Sequence, residues 1–349
     1  MLNRRKLKLG VLILSVLAIV ALAGCSGDKT EKSQDGKQVI RVGYFPNLTH
    51  AQALAGFGDG TFQKAMGSEV TIQEHIFNAG PTEIEALLAG EIDLGYIGPV
   101  PAINGFVKSK GGLRIISGAA DAGAVLIARK GADIEKVKDL DGKRVAVPQL
   151  GNTQDISLRN LLSQANLKDA SKGGTVTVIP AENPDILTLI SKGEVDAALV
   201  PEPWGSRIVK ETGARVVLDA KEVWRDGKYS TAVVIASSKF LKEHPDLVEK
   251  WLKAHVEITQ RIGKDPKASQ VVINSQIKKL TGKSLPPDVL NNAFRRITVT
   301  YNPEIESVNE FVRISVENKY LKETPDISNL FDLSLINKIL AEKKLTELR

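Results

Sequence analysis

An internal repeat with a period of 103 residues constrains the fold of this chain more than any other feature. Arg41 and Val42 recur as Arg144 and Val145. At the same offset, Pro81, Ile84, Leu87, Gly90, Glu91 and Asp93 correspond to Pro184, Leu187, Ile190, Gly193, Glu194 and Asp196. Unrelated βα units also share prolines at helix starts and glycines at helix ends. Because the offset holds over four successive elements, we predict two similar lobes instead.

Strand-like and helix-like segments alternate within each repeat. In the first copy, β-branched runs at 39–45, 70–77 and 92–97 are separated by helical patterns at 49–66 and 81–89. A βαβαβ order predicts a parallel sheet with right-handed crossovers. We therefore expect an α/β fold of two lobes, each a small, mostly parallel sheet flanked by helices.

Two extended segments, 123–129 and 231–236, lie at the borders of the repeats. Beyond them the pattern becomes helical, with predicted helices at 244–263, 266–281, 286–297, 303–321 and 327–343. These helices need a sheet to pack on, and we expect them to pack on the first lobe. The predicted division is lobe 1 at 39–129 and 232–349 and lobe 2 at 130–231, with two crossings that form a hinge.

Residues 1–24 have the pattern of a secretory signal peptide. A basic head precedes an almost unbroken apolar run, which ends in Leu-Ala-Gly-Cys at 22–25. This ending resembles the bacterial lipobox, so we predict that Cys25 is lipidated and becomes the new N-terminus. The alternative is a plain membrane anchor with an unmodified thiol. Residues 25–38 are expected to be a flexible tether, which would leave the folded body at the extracytoplasmic face of a bacterial membrane.

Charge and motif content exclude several classes of function. The chain has 47 Lys and Arg against 41 Asp and Glu, but four of the basic residues lie in the predicted signal peptide. The nearly neutral body lacks the clustered positive charge that nucleic-acid binding needs. One cysteine and four scattered histidines, with His244 and His255 expected on helix surfaces, predict no disulfide and no metal site. Known catalytic motifs are absent from the sequence, so we expect no enzyme and no cofactor. We also expect a monomer.

The loops that follow the predicted strands place small polar residues at the starts of helices. Ligands of open parallel sheets bind at the carboxyl ends of the strands, and a helix N-terminus offers an anion free N–H groups and a positive dipole end. The same residues could serve only as N-caps, but five such loops without Arg or Lys predict a small oxyanion as ligand. The candidate binding residues are Asn47, Leu48, Thr49, Asn78, Gly80, Thr82, Gly98, Asn152, Thr153, Gln154, Glu202 and Trp204.

Two of these candidates concern the part of the ligand beyond the anion. Trp204 lies in a proline-flanked loop and is predicted to be exposed, where it would contact an apolar tail. Glu202 would be unfavourable beside an anion unless it meets a cationic end of the ligand, such as an amine.

Four segments, 43–54, 78–105, 139–155 and 193–209, carry a resemblance to a known family. Together they resemble the extracytoplasmic binding proteins of ABC importers for aliphatic sulfonates, taurine and nitrate. The resemblance implies a two-lobed periplasmic-binding-protein-like fold of type II that closes on a small oxyanion and delivers it to a permease, and through the permease to the ATPase. A departure is Pro99, where sulfonate binders often have Ser or Thr.

A small organic sulfonate, either an aliphatic sulfonate or taurine, is the ligand we expect from this resemblance. Nitrate or bicarbonate and a thiamine-pyrimidine precursor are the alternative ligands. A more remote alternative is an enzyme of the thiamine-pyrimidine synthase superfamily, which shares the fold but uses a cysteine-rich motif that this sequence lacks.

Overall fold

The computed structural model describes residues 36–349. The predicted signal peptide, Cys25 and most of the predicted tether lie outside the described residues. Among residues 36–349, no helix has both the length and the apolar character that a membrane span requires. The strands are β1 (Gln38–Tyr44), β2 (Val70–Ile76), β3 (Leu94–Ile97), β4 (Leu113–Ala122), β5 (Ala124–Ala128), β6 (Arg144–Val147), β7 (Thr177–Pro180), β8 (Ala197–Pro201), β9 (Arg215–Leu218), β10 (Ser230–Ser237) and β11 (Ile297–Val299).

The α-helices alternate with these strands up to β10 and dominate the chain after it. They are α1 (Ala51–Gly58), α2 (Thr61–Met66), α3 (Gly80–Ala89), α4 (Pro99–Lys108), α5 (Thr153–Gln164), α6 (Asn183–Lys192), α7 (Trp204–Thr212), α8 (Ala220–Val223), α9 (Ser238–Glu243), α10 (Pro245–Lys264), α11 (Pro266–Thr281), α12 (Pro287–Phe294), α13 (Ile305–Glu317) and α14 (Ser334–Glu342). A short 3-10 turn, Leu48–His50, leads into α1.

Two sheets confirm the predicted two-lobed α/β fold. The first lobe holds the strand order β11-β4-β10-β3-β1-β2, and the second lobe holds β7-β6-β8-β5-β9. In each lobe three strands are parallel, namely β2-β1-β3 and β7-β6-β8. The other pairings are antiparallel. The sheets are therefore mixed, where the sequence predicted mostly parallel ones.

Matching bonds at the repeat positions show that the two lobes are copies of one design. The Asp93 carboxylate accepts bonds from the backbone N–H and the guanidinium of Arg41, at 2.8–3.1 Å. Asp196 accepts the same three bonds from Arg144, at 3.0–3.2 Å. Each Arg–Asp pair joins the first of the three parallel strands to the turn before the third. The predicted repeat is thus present in three dimensions.

Each sheet includes one strand that follows the repeat of the other lobe in the sequence. β5 follows the first repeat but lies in the second lobe, between β8 and β9. β10 follows the second repeat but lies in the first lobe, between β3 and β4. The predicted boundary at 129/130 is therefore one strand too late, because residues 124–128 belong to the second sheet. The chain leaves the first sheet at Ala122 and Gly123, which both have left-handed φ, 57° and 79°.

Three of the C-terminal helices, α10, α11 and α14, pack against the first lobe, as predicted. α10 and α11 cover α1, and α10 also packs on α2 and α14. In this core the rings of Phe62 and Trp251 stack at a centroid distance of 3.8 Å. The other two helices also contact the second lobe, since α12 contacts α7 and α13 contacts α5.

The bounds of three C-terminal helices differ from the sequence prediction. The predicted helix 286–297 ends at Phe294, and its last residue begins β11, which extends the first sheet. The predicted helix 303–321 occupies only Ile305–Glu317. The predicted helix 327–343 begins only at Ser334, because Leu330 and Asp332 form backbone hydrogen bonds with Ile115 of β4.

The prediction that His255 lies on a helix surface is wrong. His255 is fully buried, with Nδ1 bonded to the Tyr96 hydroxyl at 2.9 Å. It lies one helical turn after the buried Trp251, on the face of α10 that packs into the first lobe.

Candidate functional site

A polar cavity lies between the two lobes, at the carboxyl ends of the parallel strands. The space between its walls, including the part that is open to solvent, is about 370 Å³. The residues that line it are Phe45, Asn47, Thr49, His50, Asn78, Ala79, Gly80, Gly98, Pro101, Pro148, Asn152, Thr153, Gln154, Asn183, Pro201 and Thr231.

Helix N-termini from both lobes form much of the cavity wall. Gly80 and Asn183 are the first residues of α3 and α6, and Gly98 and Asn152 are the N-caps of α4 and α5. Of these four helices only α5 is capped by a side chain, since Asn152 Oδ1 accepts a bond from the Asp155 N–H at 2.8 Å. The N-cap explanation therefore holds for one helix. The other three have no side-chain cap, and α3 and α6 present more first-turn N–H groups than α4, because Pro99 and Pro101 have none.

The described part of the cavity wall has helix N-termini but no cationic side chain. Among the described residues, none that lines the cavity is Arg, Lys, Asp or Glu. Helix dipoles place partial positive charge at each N-terminus. His50 is the only titratable side chain in the described lining, and burial lowers its pKa to about 3, so its ring is neutral at physiological pH. Neutral dipoles would therefore hold an anion here.

Ten of the lining residues form five pairs that are each separated by the repeat length. The cavity is thus built on the same pseudo-symmetry as the sheets. The pairs are Phe45 with Pro148, Thr49 with Asn152, His50 with Thr153, Gly80 with Asn183, and Gly98 with Pro201.

Direct contacts join the two lobes around the cavity. The indole N–H of Trp204 donates to Asn47 Oδ1 at 3.1 Å, and the Leu48 N–H donates to the Glu202 carbonyl at 3.0 Å. At the rim the Asn78 side-chain amide donates to a carboxylate oxygen of Glu182 at 2.9 Å. The lobes are therefore closed on one another in this structure.

The lobes also approach each other closely at Gly98 and Thr153. A Cβ at Gly98 would lie 2.3 Å from Thr153 Oγ1, which is shorter than any van der Waals contact allows. Gly98 itself has ordinary extended dihedrals, φ −67° and ψ 150°, so its backbone does not require glycine. In the closed arrangement, a Cβ at Gly98 would require the Thr153 side chain or the lobes to move.

Eight of the twelve predicted binding residues line the cavity. They are Asn47, Thr49, Asn78, Gly80, Gly98, Asn152, Thr153 and Gln154. Two of the other four take part in the local structure instead. The Leu48 side chain is buried in the core of the first lobe. Thr82 Oγ1 donates to the Ala79 carbonyl at 2.8 Å, within the first turn of α3.

Glu202 does not line the cavity, and its carboxylate is already paired. Oε1 accepts bonds at 2.9 Å from the Arg296 guanidinium and from the Ser206 hydroxyl. Burial raises the pKa of Glu202, while the bonds from Ser206 and the charge of Arg296 act in the opposite direction. The structure therefore does not support the predicted contact between Glu202 and a cationic end of the ligand.

The prediction that Trp204 is exposed is wrong. Only 8% of its surface is accessible, and the Arg207 guanidinium lies 5.0 Å from the centre of its ring. Its indole N–H holds Asn47, which does line the cavity. Trp204 therefore orients a lining residue and closes the interface between the lobes.

Eight lining residues were not predicted from the sequence. Three of these, His50, Asn183 and Pro201, lie 103 positions from the predicted Thr153, Gly80 and Gly98. A search for the residue 103 positions before or after each predicted residue would have identified these three. The other five carry no such signal, namely Phe45, Ala79, Pro101, Pro148 and Thr231.

Comparison with known proteins identifies similar chains. Residues 33–275 match the model of the NMT1-like family. A protein of Bacillus subtilis (strain 168), provisionally named as an aliphatic sulfonates-binding protein, is 26% identical over 96% of this chain and 98% of its own. The taurine-binding periplasmic protein of Escherichia coli (strain K12) is 25% identical over 71% of this chain and 70% of its own.

A solved structure shares the fold at low sequence identity. It is the alkanesulfonate-binding protein from Xanthomonas axonopodis pv. citri bound to MOPS, with a TM-score of 0.69 and 18% identity over 84% of this chain and 96% of that one. These relatives are named as binding proteins and not as enzymes. The predicted family resemblance is thus confirmed.

Proposed function

This chain belongs to the NMT1-like family, and on that premise we propose that it is the extracytoplasmic solute-binding protein of an ABC importer for a small organic sulfonate. The lobes close on the sulfonate, and the closed protein delivers it to the permease. The observation that carries this proposal is the cavity itself, in which several helix N-termini converge with no charged side chain among the described lining residues.

The apolar part of the cavity favours a sulfonate over nitrate. Phe45, Ala79, Pro101, Pro148 and Pro201 contribute apolar surface beside the polar groups. An alkanesulfonate has an oxyanion for the helix N-termini and a hydrocarbon tail for this surface, whereas nitrate has no tail. Two relatives are named as binding proteins for aliphatic sulfonates and for taurine, which agrees with this choice.

Among possible sulfonates, an uncharged tail fits the cavity better than the ammonium of taurine. No carboxylate is found among the described lining residues, and Glu202 is paired with Arg296. Burial of an ammonium without a carboxylate partner is costly. Glu182, which bonds to Asn78 at the rim, is a carboxylate that a longer amine could still reach.

Calorimetry with residues 26–349 tests the assignment. The panel holds alkanesulfonates of rising chain length, taurine, sulfate, nitrate and a pyrimidine. We expect alkanesulfonates to bind more tightly than nitrate, and to raise the free energy of unfolding by about 2.7 kcal/mol at 100 times Kd. Binding of nitrate or the pyrimidine without any sulfonate would disprove the substrate and leave only the transport role.

Lipid attachment at Cys25 is a separate part of the proposal. The only cysteine of the chain follows the apolar run at the position that a lipobox requires. Several acyl chains would hold the protein durably on a membrane. In a bacterial host, Cys25→Ala should release the protein or leave it unprocessed, whereas Cys25→Ala protein that is mature and still bound to the membrane would contradict lipidation.

A further inference from the structure

We propose that His50 binds the ligand directly, with its neutral imidazole donating the Nε2 hydrogen to an oxygen of the bound anion. The inference rests on the proposed oxyanion site and adds a side-chain donor to the helix N-termini. His50 lines the cavity and is 98% buried, with 2% of its surface accessible.

The ring of His50 is held in one orientation. It stacks on Phe45 at a centroid distance of 4.4 Å, and Tyr96 lies 6.3 Å away. Nδ1 accepts a hydrogen bond from the Phe45 backbone N–H at 3.1 Å. These contacts leave the opposite nitrogen, Nε2, without a hydrogen-bond partner among the described residues.

The Phe45 bond also decides where the proton is. A neutral imidazole carries a single N–H, so a ring whose Nδ1 accepts a bond must carry its hydrogen on Nε2. Nε2 is therefore a donor at the cavity wall. A donor that stays in place when the cavity is empty is preorganised for an acceptor, and an oxyanion is the acceptor for which the rest of the cavity is built.

The surroundings of His50 keep its ring neutral. Of the groups packed near it, Tyr96 of β3 is bonded to His255 of α10, and both are buried. Burial raises the pKa of Tyr96 and lowers the pKa of His255 to about 4, so both are uncharged at pH 7. No charged side chain is among the described residues of the cavity wall. Anion binding through His50 should therefore not depend on pH between 5 and 8.

The repeat supplies an independent reason for this role. Thr153 lies 103 positions after His50 and lines the same cavity from the other lobe. Its hydroxyl is buried and also has no hydrogen-bond partner among the described residues. Unpaired buried polar groups are costly, and a bound group that satisfies them removes that cost. A buried, unpaired hydroxyl and an unpaired imidazole nitrogen at equivalent positions of the two lobes are suited to one ligand between them.

Two substitutions separate the two nitrogens of His50. His50→Asn keeps an acceptor near Nδ1 for the Phe45 N–H but has no group at Nε2. His50→Gln places an amide N–H near Nε2 but loses the Nδ1 acceptor. We expect His50→Asn to weaken methanesulfonate binding about 10- to 100-fold, the range for one hydrogen bond to a charged group, with little change in the Tm of the free protein. His50→Gln should keep more of the affinity and lose more of the Tm.

Nitrogen-15 NMR of the unmodified protein tests the proposal without the need for a folded variant. We expect His50 as the neutral Nε2–H tautomer from pH 5 to 8, with slower exchange of that hydrogen when methanesulfonate is added. Calorimetry in two buffers of different ionisation enthalpy should show no proton uptake on binding.

Three results would overturn the proposal. They are a folded His50→Asn variant with unchanged affinity, an Nδ1–H tautomer, or an imidazolium in the complex. If the unmodified protein binds no sulfonate, the proposed substrate fails instead, and the same variants are measured with the anion that does bind.

Discussion

The two lobes have similar folds but differ in the side chains that they bury beneath their second crossover helix, α3 or α6. In the first lobe, Glu83 of α3 lies fully buried against Gly43 of β1 and Gly95 of β3. In the second lobe the positions 103 residues later hold Ile186, Ala146 and Ala198. Gly43 pairs with Gly95 across the first sheet, and Ala146 pairs with Ala198 across the second.

This difference teaches how a repeat can exchange a polar interior for an apolar one. A Cβ at Gly43 or Gly95 would lie 2.6 Å or 2.2 Å from Glu83 Oε1. The two glycines therefore make room for the longer side chain, and two alanines fill that room beside isoleucine. Neither Glu83 oxygen has a hydrogen-bond partner among the described residues, and burial raises the pKa of Glu83 well above its usual value. The first lobe thus holds an unpaired carboxyl group whose ionisation is disfavoured by burial.

The largest effect is expected at the point where the lobes touch. Gly98 faces Thr153, while its counterpart in the second lobe, Pro201, already carries a side chain. Gly98→Ala should weaken sulfonate binding roughly 10- to 100-fold, because overpacking of this kind costs about 1–3 kcal/mol in the closed state alone. Calorimetry measures the affinity, and thermal unfolding should show the free protein nearly unchanged.

Gly263→Ala is the matched control for this prediction. Gly263 lies in α10, and a Cβ there would meet no atom within 4 Å. The control should leave affinity unchanged and raise stability slightly, since alanine favours a helix more than glycine does. Normal affinity in Gly98→Ala would show that the lobes bind ligand without the close approach described here.

The interior of the first lobe provides the next test. Gly95→Ala should lower the free energy of unfolding by about 1–3 kcal/mol, because the new methyl group meets the Glu83 carboxyl. Adding Gly43→Ala and Glu83→Ile gives the first lobe the three residues of the second, and this triple variant should recover most of the loss. Urea unfolding measures both. A triple variant less stable than Gly95→Ala would mean that the two interiors are not interchangeable.

The buried carboxyl should also make the stability of the first lobe depend on pH. Because the pKa of Glu83 is higher in the folded protein than in the unfolded chain, its contribution is complete below the unfolded pKa, near 4.5. That contribution is lost as the pH rises through the folded pKa. Glu83→Gln has no proton to lose, so its stability relative to the wild type should increase from pH 4 towards alkaline pH. Thermal unfolding across this range is the measurement, and parallel curves for the two proteins would contradict a buried Glu83.

The smallest effects are expected at the two Arg–Asp pairs that the lobes have in common. Asp93→Asn weakens the partly exposed ion pair with Arg41, and Asp196→Asn weakens those with Arg144 and Arg129. Each variant should cost about 1 kcal/mol or less. The cost at Asp196 should not exceed the cost at Asp93, since both of its partners, Arg144 and Arg129, are more exposed than Arg41, at 43% and 31% against 22%. Chemical unfolding of the two variants, with Lys239→Ala at an exposed ion pair as the control, measures the difference. A much larger cost in one lobe would mean that the pairs are not equivalent.

Local sequence patterns predicted the elements of the fold and the loops of the site, because helix caps, strand runs and repeats lie within short stretches. They did not predict contacts between distant parts of the chain. Glu202 meets Arg296 94 positions later, and this pairing removed it from the site. Trp204 is buried by contact with a loop of the other lobe. The repeat could have placed His50 at the cavity, but the orientation of its ring depends on a bond from the Phe45 N–H that only the folded backbone reveals.

The exchange of β5 and β10 between the sheets makes the two halves of this chain dependent on one another. A free copy of the repeat that ended at Ala122 would contain β3 and β4 but not the strand that joins them, and both would be left with an unpaired edge. If two free copies each kept the strand that follows the repeat, each copy could insert that strand between the unpaired strands of the other. This is the arrangement of a domain-swapped homodimer. The single chain has the architecture of such a dimer fused end to end, so neither half should be obtainable as a folded protein by itself.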